Sequence, residues 1–238
     1  MSYVNQLGQP IGAELPNWQV PLFPTRTTLV GRFCRLEPLQ ADRHAAALFA
    51  ANAQDVTGQN WTYLAYGPFA TLNAYQAWMT QTCEGNDPQF YAVVDTGTQQ
   101  AVGVASYLRI TPSSGSIEVG HINFSRMLQR TPAATEAMYL MMRYAFELGY
   151  RRYEWKCDAL NAPSRAAAER LGFTFEGIFR QASVYKGRNR DTAWFAVIDG
   201  EWPTVEAAFQ AWLDPSNFDQ DGQQRQSLTE LRRASSIG

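Results

Sequence analysis

The chain has 238 residues, 45% apolar and 18% charged, enough to close a hydrophobic core without staples across one or two globular domains. Twenty Lys and Arg against twenty-two Asp and Glu leave a net charge of −2, which argues against a dedicated nucleic-acid binder. Three cysteines without a C-x-x-C pair argue against a zinc site or a disulfide framework and suit a reducing cytoplasm. The first ten residues lack a secretory pattern, and no run approaches the roughly 18 apolar residues of a membrane span.

Residues 1–28 are rich in Pro, Gly and Gln and show no period, so they read as an extended leader. The segment 32–39 reads as a strand, 42–52 as a helix capped by Asp42, and 72–83 as a second helix after an aromatic loop. A meander follows over 90–95, 101–110 and 116–124, with turns at Gly97 and at 112–115. The strongest helix is 131–148, with Thr131 as cap, Pro132 in the first position and Gly149 as stop. Then come a strand at 153–158, a short helix at 163–171 closed by Gly172, and a hairpin of 173–185 with 191–199. A helix over 202–212 reads equally as core or as partner surface. The remainder, 214–238, is polar and reads as peripheral, with a short helix near 225–233. The core of 29–213 is thus one α/β domain on a mixed, mostly antiparallel sheet.

Chemistry concentrates in the middle. The strand ending at Phe124 is followed by Ser125 and a helix that begins at Thr131, and the strand ending at Asp158 is followed by a helix that begins just after Asn161. Free amides at a helix start, with the positive end of its dipole, suit a phosphate. Two such starts at neighbouring strand ends frame a cleft. Simple capping of two core helices is the competing explanation.

The run Gln129-Arg130-Thr131-Pro132-Ala133-Ala134-Thr135-Glu136-Ala137 resembles the acetyl-CoA loop Q/R-x-x-G-x-G/A of the GNAT acetyltransferases. Asn161-Ala162-Pro163-Ser164, Leu171-Gly172-Phe173 and Glu176-Gly177 resemble the ending of its RimJ/RimL-like branch, which acetylates α-amino groups among other substrates. The resemblance implies a GNAT fold and acetyl-CoA as acyl donor, with no metal. It places Phe124 and Ser125 beside the pantetheine arm and the backbone of Arg130, Thr131, Ala133, Ala134 and Thr135, after Gln129, around the diphosphate. Asn161 would contact the cofactor, and Ser164 would stand near the departing sulfur. Strand register and helix capping by Thr131, Asn161 or Ser164 are the plain alternatives.

Three positions depart from the pattern: Pro132 replaces the loop glycine, Ala168 stands where many relatives keep a tyrosine acid, and Ser183 where RimL-like enzymes have a carboxylate. Candidate bases are Glu118 and His121, an odd number of residues apart and so expected on opposite faces of their strand. The superfamily's habit favours Glu118. Deprotonating a lysine at pH 7 costs about 4–5 kcal/mol, an α-amine only about 1–1.4. A site without a strong base therefore suits an α-amino or other weakly basic amine, on a small molecule or a peptide N-terminus. Trp61 and Tyr63 are expected to line the acceptor pocket, whereas Tyr66 and Phe69 read equally as core. The cluster from Lys186 to Arg190 reads chiefly as a solvated turn. The expected protein is an amine N-acetyltransferase acting by direct transfer, with no nucleic-acid or membrane partner and a homodimer left open. A catalytically degenerate acyl-CoA-binding domain is the alternative.

Overall fold

Period-2 apolar runs become strands and 3.6-period runs become helices, with a few boundaries moved by turn chemistry. In the computed structural model, which describes residues 3–83 and 85–235, the chain first forms β1 (Tyr3–Val4), β2 (Pro10–Ile11), β3 (Leu29–Val30) and β4 (Cys34–Pro38). Helices α1 (Ala41–Asn52) and α2 (Leu72–Thr82) are followed by β5 (Gln89–Asp95), β6 (Ala101–Thr111) and β7 (Ser116–Phe124). The central unit is α3 (Pro132–Glu147), β8 (Arg152–Asp158) and α4 (Ala162–Leu171). Last come β9 (Thr174–Tyr185), β10 (Arg188–Ile198), α5 (Trp202–Leu213) and α6 (Leu228–Ser235). No helix among the described residues is long and apolar enough to cross a membrane.

Eight strands form one sheet in the order β3-β4-β5-β6-β7-β8-β10-β9, while β1 and β2 pair separately. The β7–β8 pair is parallel, with α3 as its crossover, and it holds only from Ser116↔Arg152 to Val119↔Trp155. Beyond Val119 and Trp155 the two strands part, while β7 stays paired to β6 through Phe124 and β8 to β10 through Asp158. A wedge thus opens in the middle of the sheet at the strands' carboxyl ends, where α/β sheets usually bind ligands.

The sheet carries a core on each face. On one, α3 and α5 cover Tyr91, Tyr107, Ile117, Val119, Trp155 and Phe195. On the other, α1, α2 and the aromatic loop cover Phe90, Ala92, Val94 and Val104. Glu136 of α3 ties the first of these layers to the start of β4. Its buried carboxylate accepts the backbone N–H groups of Arg32 (2.8 Å), Phe33 (2.7 Å) and Cys34 (2.9 Å). Gly31 is required there, because a Cβ would collide with that carboxylate.

Several sequence expectations change. Helix α1 begins at Ala41 with Gln40 as N-cap, and Asp42 lies inside its first turn. The hairpin turn shrinks to Lys186-Gly187, both left-handed (φ +49° and +69°), the two-residue type that matches strand twist. The leader, which its composition leaves either against the domain or partly mobile, is not one of these: around residues 22–26 it lies on the domain, where Leu22 N–H donates to Leu148 O and Gln89 Nε2 to Pro24 O. The polar tail is not peripheral. Leu228 is buried, Trp212 Nε1 donates to Gln224 Oε1 (2.7 Å), and α6 packs on α5. Helix α5 is a core helix, with Val205, Ala208, Phe209 and Trp212 buried.

Candidate active site

Seen from the α3 side, the wedge is framed by two helix starts. Thr131 caps α3: its Oγ1 accepts from Ala134 N–H (3.3 Å) and donates to Leu128 O (2.7 Å). Pro132 supplies no donor. The main-chain N–H groups of Arg130 and Ala133 have no partner among the described residues. Arg130 itself is left-handed at φ +62°, a conformation that costs a non-glycine residue about 1–2 kcal/mol. Thr135, whose backbone is expected in the phosphate loop, is buried, and its side chain accepts Arg170 Nη2 (2.8 Å) and so ties α3 to α4.

Gln129 also departs from expectation. Its amide donates to Phe124 O (2.8 Å) and to Asn60 Oδ1 (3.0 Å), and Asn60 Nδ2 donates to the same Phe124 carbonyl (3.2 Å). The Phe124 carbonyl is therefore already taken by two side-chain amides. Next to it, Ser125 Oγ and Asn123 Oδ1 are buried without a partner, an unusual state for polar atoms in a folded interior.

At the second helix start, Asn161 Oδ1 accepts Ser164 N–H (3.2 Å), so Asn161 is the N-cap of α4 and only its Nδ2 is left for a ligand. Ser164 Oγ accepts from Trp155 Nε1 (3.0 Å). An indole N–H can only donate, so the serine's own proton turns to a second acceptor, and the Cys157 sulfur lies close enough to take it.

On the opposite face of the sheet lies Glu118, 2% exposed. Arg109 Nη1 lies 2.7 Å from its Oε1 and Lys156 Nζ 2.9 Å from its Oε2. Burial pushes its carboxyl above the usual carboxylate range, and the two cations pull it back only in part. Lys156 also reaches Glu154 Oε2 (2.7 Å) and sits 3.8 Å over the Trp194 ring. Arg109 is held in turn by a bulge: it has φ +47°, and the Asp87 carboxylate accepts the N–H groups of Arg109 and Ile110 (both 3.0 Å).

His121 corrects the alternation argument. Between Ser106↔Gly120 and Val104↔Asn123 strand β7 carries one residue more than β6, and His121 takes φ +51°. This bulge turns the ring onto the face of Glu118. A Cβ on Gly120 would lie 3.6 Å from Glu118 Oε1, Gly120 pairs with Ser106 and Ser106 with Phe90, and the His121 ring packs on Phe90 at 4.9 Å. Tyr66 OH lies 3.2 Å from His121 Nδ1. Burial, with Arg109 and Arg190, lowers the imidazole to about 4, so it is neutral at pH 7 and a weak base.

Three hydrogen bonds wall this face. Tyr63 OH donates to Leu160 O (3.1 Å), Lys186 Nζ to Trp61 O (2.7 Å), and Tyr185 OH to Asp158 Oδ2 (2.8 Å). Tyr63 thus lies beside the loop that follows β8. Trp61, expected to line the acceptor pocket, does not: it is 5% exposed and packs edge-on to Tyr66, Phe69 and Tyr75, so only its carbonyl reaches the wall. The hairpin tip, read as a solvated turn, closes one side, and Tyr66 rather than Trp61 meets the strand. Both follow from long-range packing that local pattern does not carry. Among the described residues no group of three or more His, Cys, Asp or Glu could hold a metal ion.

Comparison with known proteins agrees with this geometry. Residues 34–174 match the acetyltransferase (GNAT) domain family. A GCN5-related N-acetyltransferase from Brucella melitensis is 49% identical, covering 92% of this chain and all of its own, with a TM-score of 0.90. A GNAT-family acetyltransferase from Chromobacterium violaceum is 45% identical over 82% of this chain and 98% of its own, with a TM-score of 0.76. The N-acetyltransferase p20 of Bacillus licheniformis, itself uncharacterised, is 25% identical over 178 residues, 70% of this chain and 99% of that protein.

Proposed function

The chain belongs to the GNAT acetyltransferase family, and from that premise we propose that it moves an acetyl group from acetyl-CoA to an α-amino or similarly weakly basic amine by direct attack. The observation that carries the reading is the wedge: β7 and β8 part after Val119 and Trp155, with unpartnered amides at the α3 start on one side and a buried carboxylate on the other. The residues fit a CoA thioester. The Arg130 and Ala133 amides and the dipole of α3 suit the diphosphate. The orphaned Ser125 Oγ and Asn123 Oδ1 offer polar contacts in the wedge, and Asn161 Nδ2 a further donor. Acetyl-CoA supplies an activated acyl group.

The chain's own residues then manage protons and position. Glu118, with a raised pKa, accepts the amine's proton through water in the walled face. Ser164, whose oxygen accepts from Trp155, offers its hydroxyl as a hydrogen-bond donor that stabilises the departing thiolate, the role left open by Ala168, and the sulfur's proton comes from water. His121 is neutral and orients the wall through Tyr66.

The test is free-CoA release over an amine panel with Glu118→Gln and Ser164→Ala. We expect kcat/KM to rise with pH through the raised Glu118 titration, and Glu118→Gln to lower it about 10²–10⁴-fold and abolish that limb. Acetyl-CoA affinity by calorimetry should stay within threefold, roughly 0.7 kcal/mol. An unchanged pH profile in Glu118→Gln would remove Glu118 as base. Acetyl-CoA binding without CoA release from any amine would favour the degenerate domain.

A further inference from the structure

Arg190 is a charged group of the walled face that the proton chemistry above does not use, and among the described residues it has no acid paired with it. It lies on β10 two residues before Thr192, which pairs with Asp158 at the last rung of β8, so it stands just past the end of that strand. The pairing of β10 with β9 shifts register between Arg190 and Thr192, so its side chain is placed by its neighbours: Tyr185, whose OH donates to Asp158, and His121. The guanidinium sits 5.7 Å from the Tyr185 ring, and its charge helps to depress His121.

No acceptor satisfies it. Among the described residues Arg190 has no carboxylate within ion-pair distance and no hydrogen bond, and its Nε is buried without a partner. Arg26 and Arg143 also have an Nε without a hydrogen bond. Arg26, however, donates to the carbonyls of Cys83 and Gly85, and Arg143 pairs with Glu147. Asp158 is taken by Tyr185 OH and by Leu160 N–H (2.8 Å), Glu118 by Arg109 and Lys156, and Glu154 by Lys156 and Arg152. Each acid of this face is thus matched, and one guanidinium is left over. A buried Nε–H without an acceptor is costly unless a ligand supplies an oxygen.

The body of α3, whose start suits the CoA diphosphate, packs on the other face, where Tyr107 of the layer beneath it donates to Met141 O of that helix. We propose that the acetyl acceptor is a small amino-acid-like amine whose carboxylate is held by Arg190. The reading rests on this face receiving the acceptor. A guanidinium fork matches a carboxylate in two parallel hydrogen bonds, which sets orientation as well as affinity.

The experiment compares amino acids with their own primary amides as acceptors, reading kcat/KM by CoA release in the wild type, Arg190→Gln and Arg190→Lys. Melting curves and acetyl-CoA calorimetry accompany each variant. The amide's amine is the less basic, so amine chemistry alone favours the amide. We expect the wild type to prefer the acid by about tenfold or more, Arg190→Gln to lose that preference, and Arg190→Lys to keep part of it. The proposal is overturned if the wild type uses the amide as well as the acid, if the preference survives Arg190→Gln, or if no acid is acetylated. It is also overturned if Arg190→Gln abolishes acetyl-CoA binding while the wild type binds, since Arg190 would then serve the cofactor. Failure of the wild type to bind acetyl-CoA would instead sink the acetyltransferase reading itself.

Discussion

Replacing Glu136 by glutamine tests how the cofactor helix is anchored. The carboxylate takes three backbone amides, Arg32 on Oε1 and both Phe33 and Cys34 on Oε2, the last of them fully buried. Hydrogen bonds to a charged acceptor contribute about 1.5–3 kcal/mol each, neutral ones about 0.5–1.5. A glutamine can keep its carbonyl oxygen at the Oε2 position, which preserves two bonds in weaker form. Its amide nitrogen must then face the Arg32 N–H, donor against donor, and that amide is left unsatisfied. The expected loss is about 3–5 kcal/mol. For a chain of 238 residues, where 1 kcal/mol moves the melting midpoint by roughly 2–4 °C, the midpoint should fall by about 10 °C. Gly31→Ala should act in the same direction by pressing a methyl into the carboxylate. Urea denaturation followed by circular dichroism measures both. A loss below about 1 kcal/mol in Glu136→Gln would mean that the turn re-forms on water, and the anchoring argument would be wrong.

Two further outcomes follow from backbone and titration. His121 has a folded value near 4 against an ordinary 6.5, so the unfolded chain binds its proton first on acidification. Its contribution to stability is present above pH 6.5 and is lost as pH falls toward 4, by up to about 3 kcal/mol. His121→Asn, which tolerates the left-handed backbone, should lack that slope, and denaturation at pH 7 and pH 4.5 reads the difference. Equal slopes in both proteins would show that another group titrates. Arg130→Gly relieves φ +62° and should stabilise the fold by up to about 1 kcal/mol. Acetyl-CoA affinity should meanwhile fall several-fold with the loss of the cation. Tighter binding in the glycine variant would show that strain, not charge, is what Arg130 brings to the loop.

How much of this was readable in advance depends on the range of the interaction. The order of strands and helices from β4 to α5 follows from local periodicity. The starts of α3 and α4 are set by Thr131 and Asn161, because a cap bonds only its next two or three residues. Local pattern also puts Glu118 on β7 and Ser164 in the first turn of α4. The error over His121 had a specific source: alternation assumes an unbroken ladder, and a single extra residue between Gly120 and Asn123 reverses it. Trp61 was misplaced because aromatic content in a loop does not say which ring turns inward. The tail was misread because its polar run hides Leu228, which packs only once α5 is in place.

By itself, then, the amino-acid order determined the secondary structure, the two helix starts at neighbouring strand ends and the family signature, all carried by contacts within a few residues. Tertiary structure decided where β7 and β8 part and which face His121 takes. It also decided that Glu118 meets Lys156 and that Arg190 is left without an acid. Those outcomes depend on sheet register and on partners dozens of residues apart. Their strength comes from burial and charge pairing, which exist only after the sheet has closed.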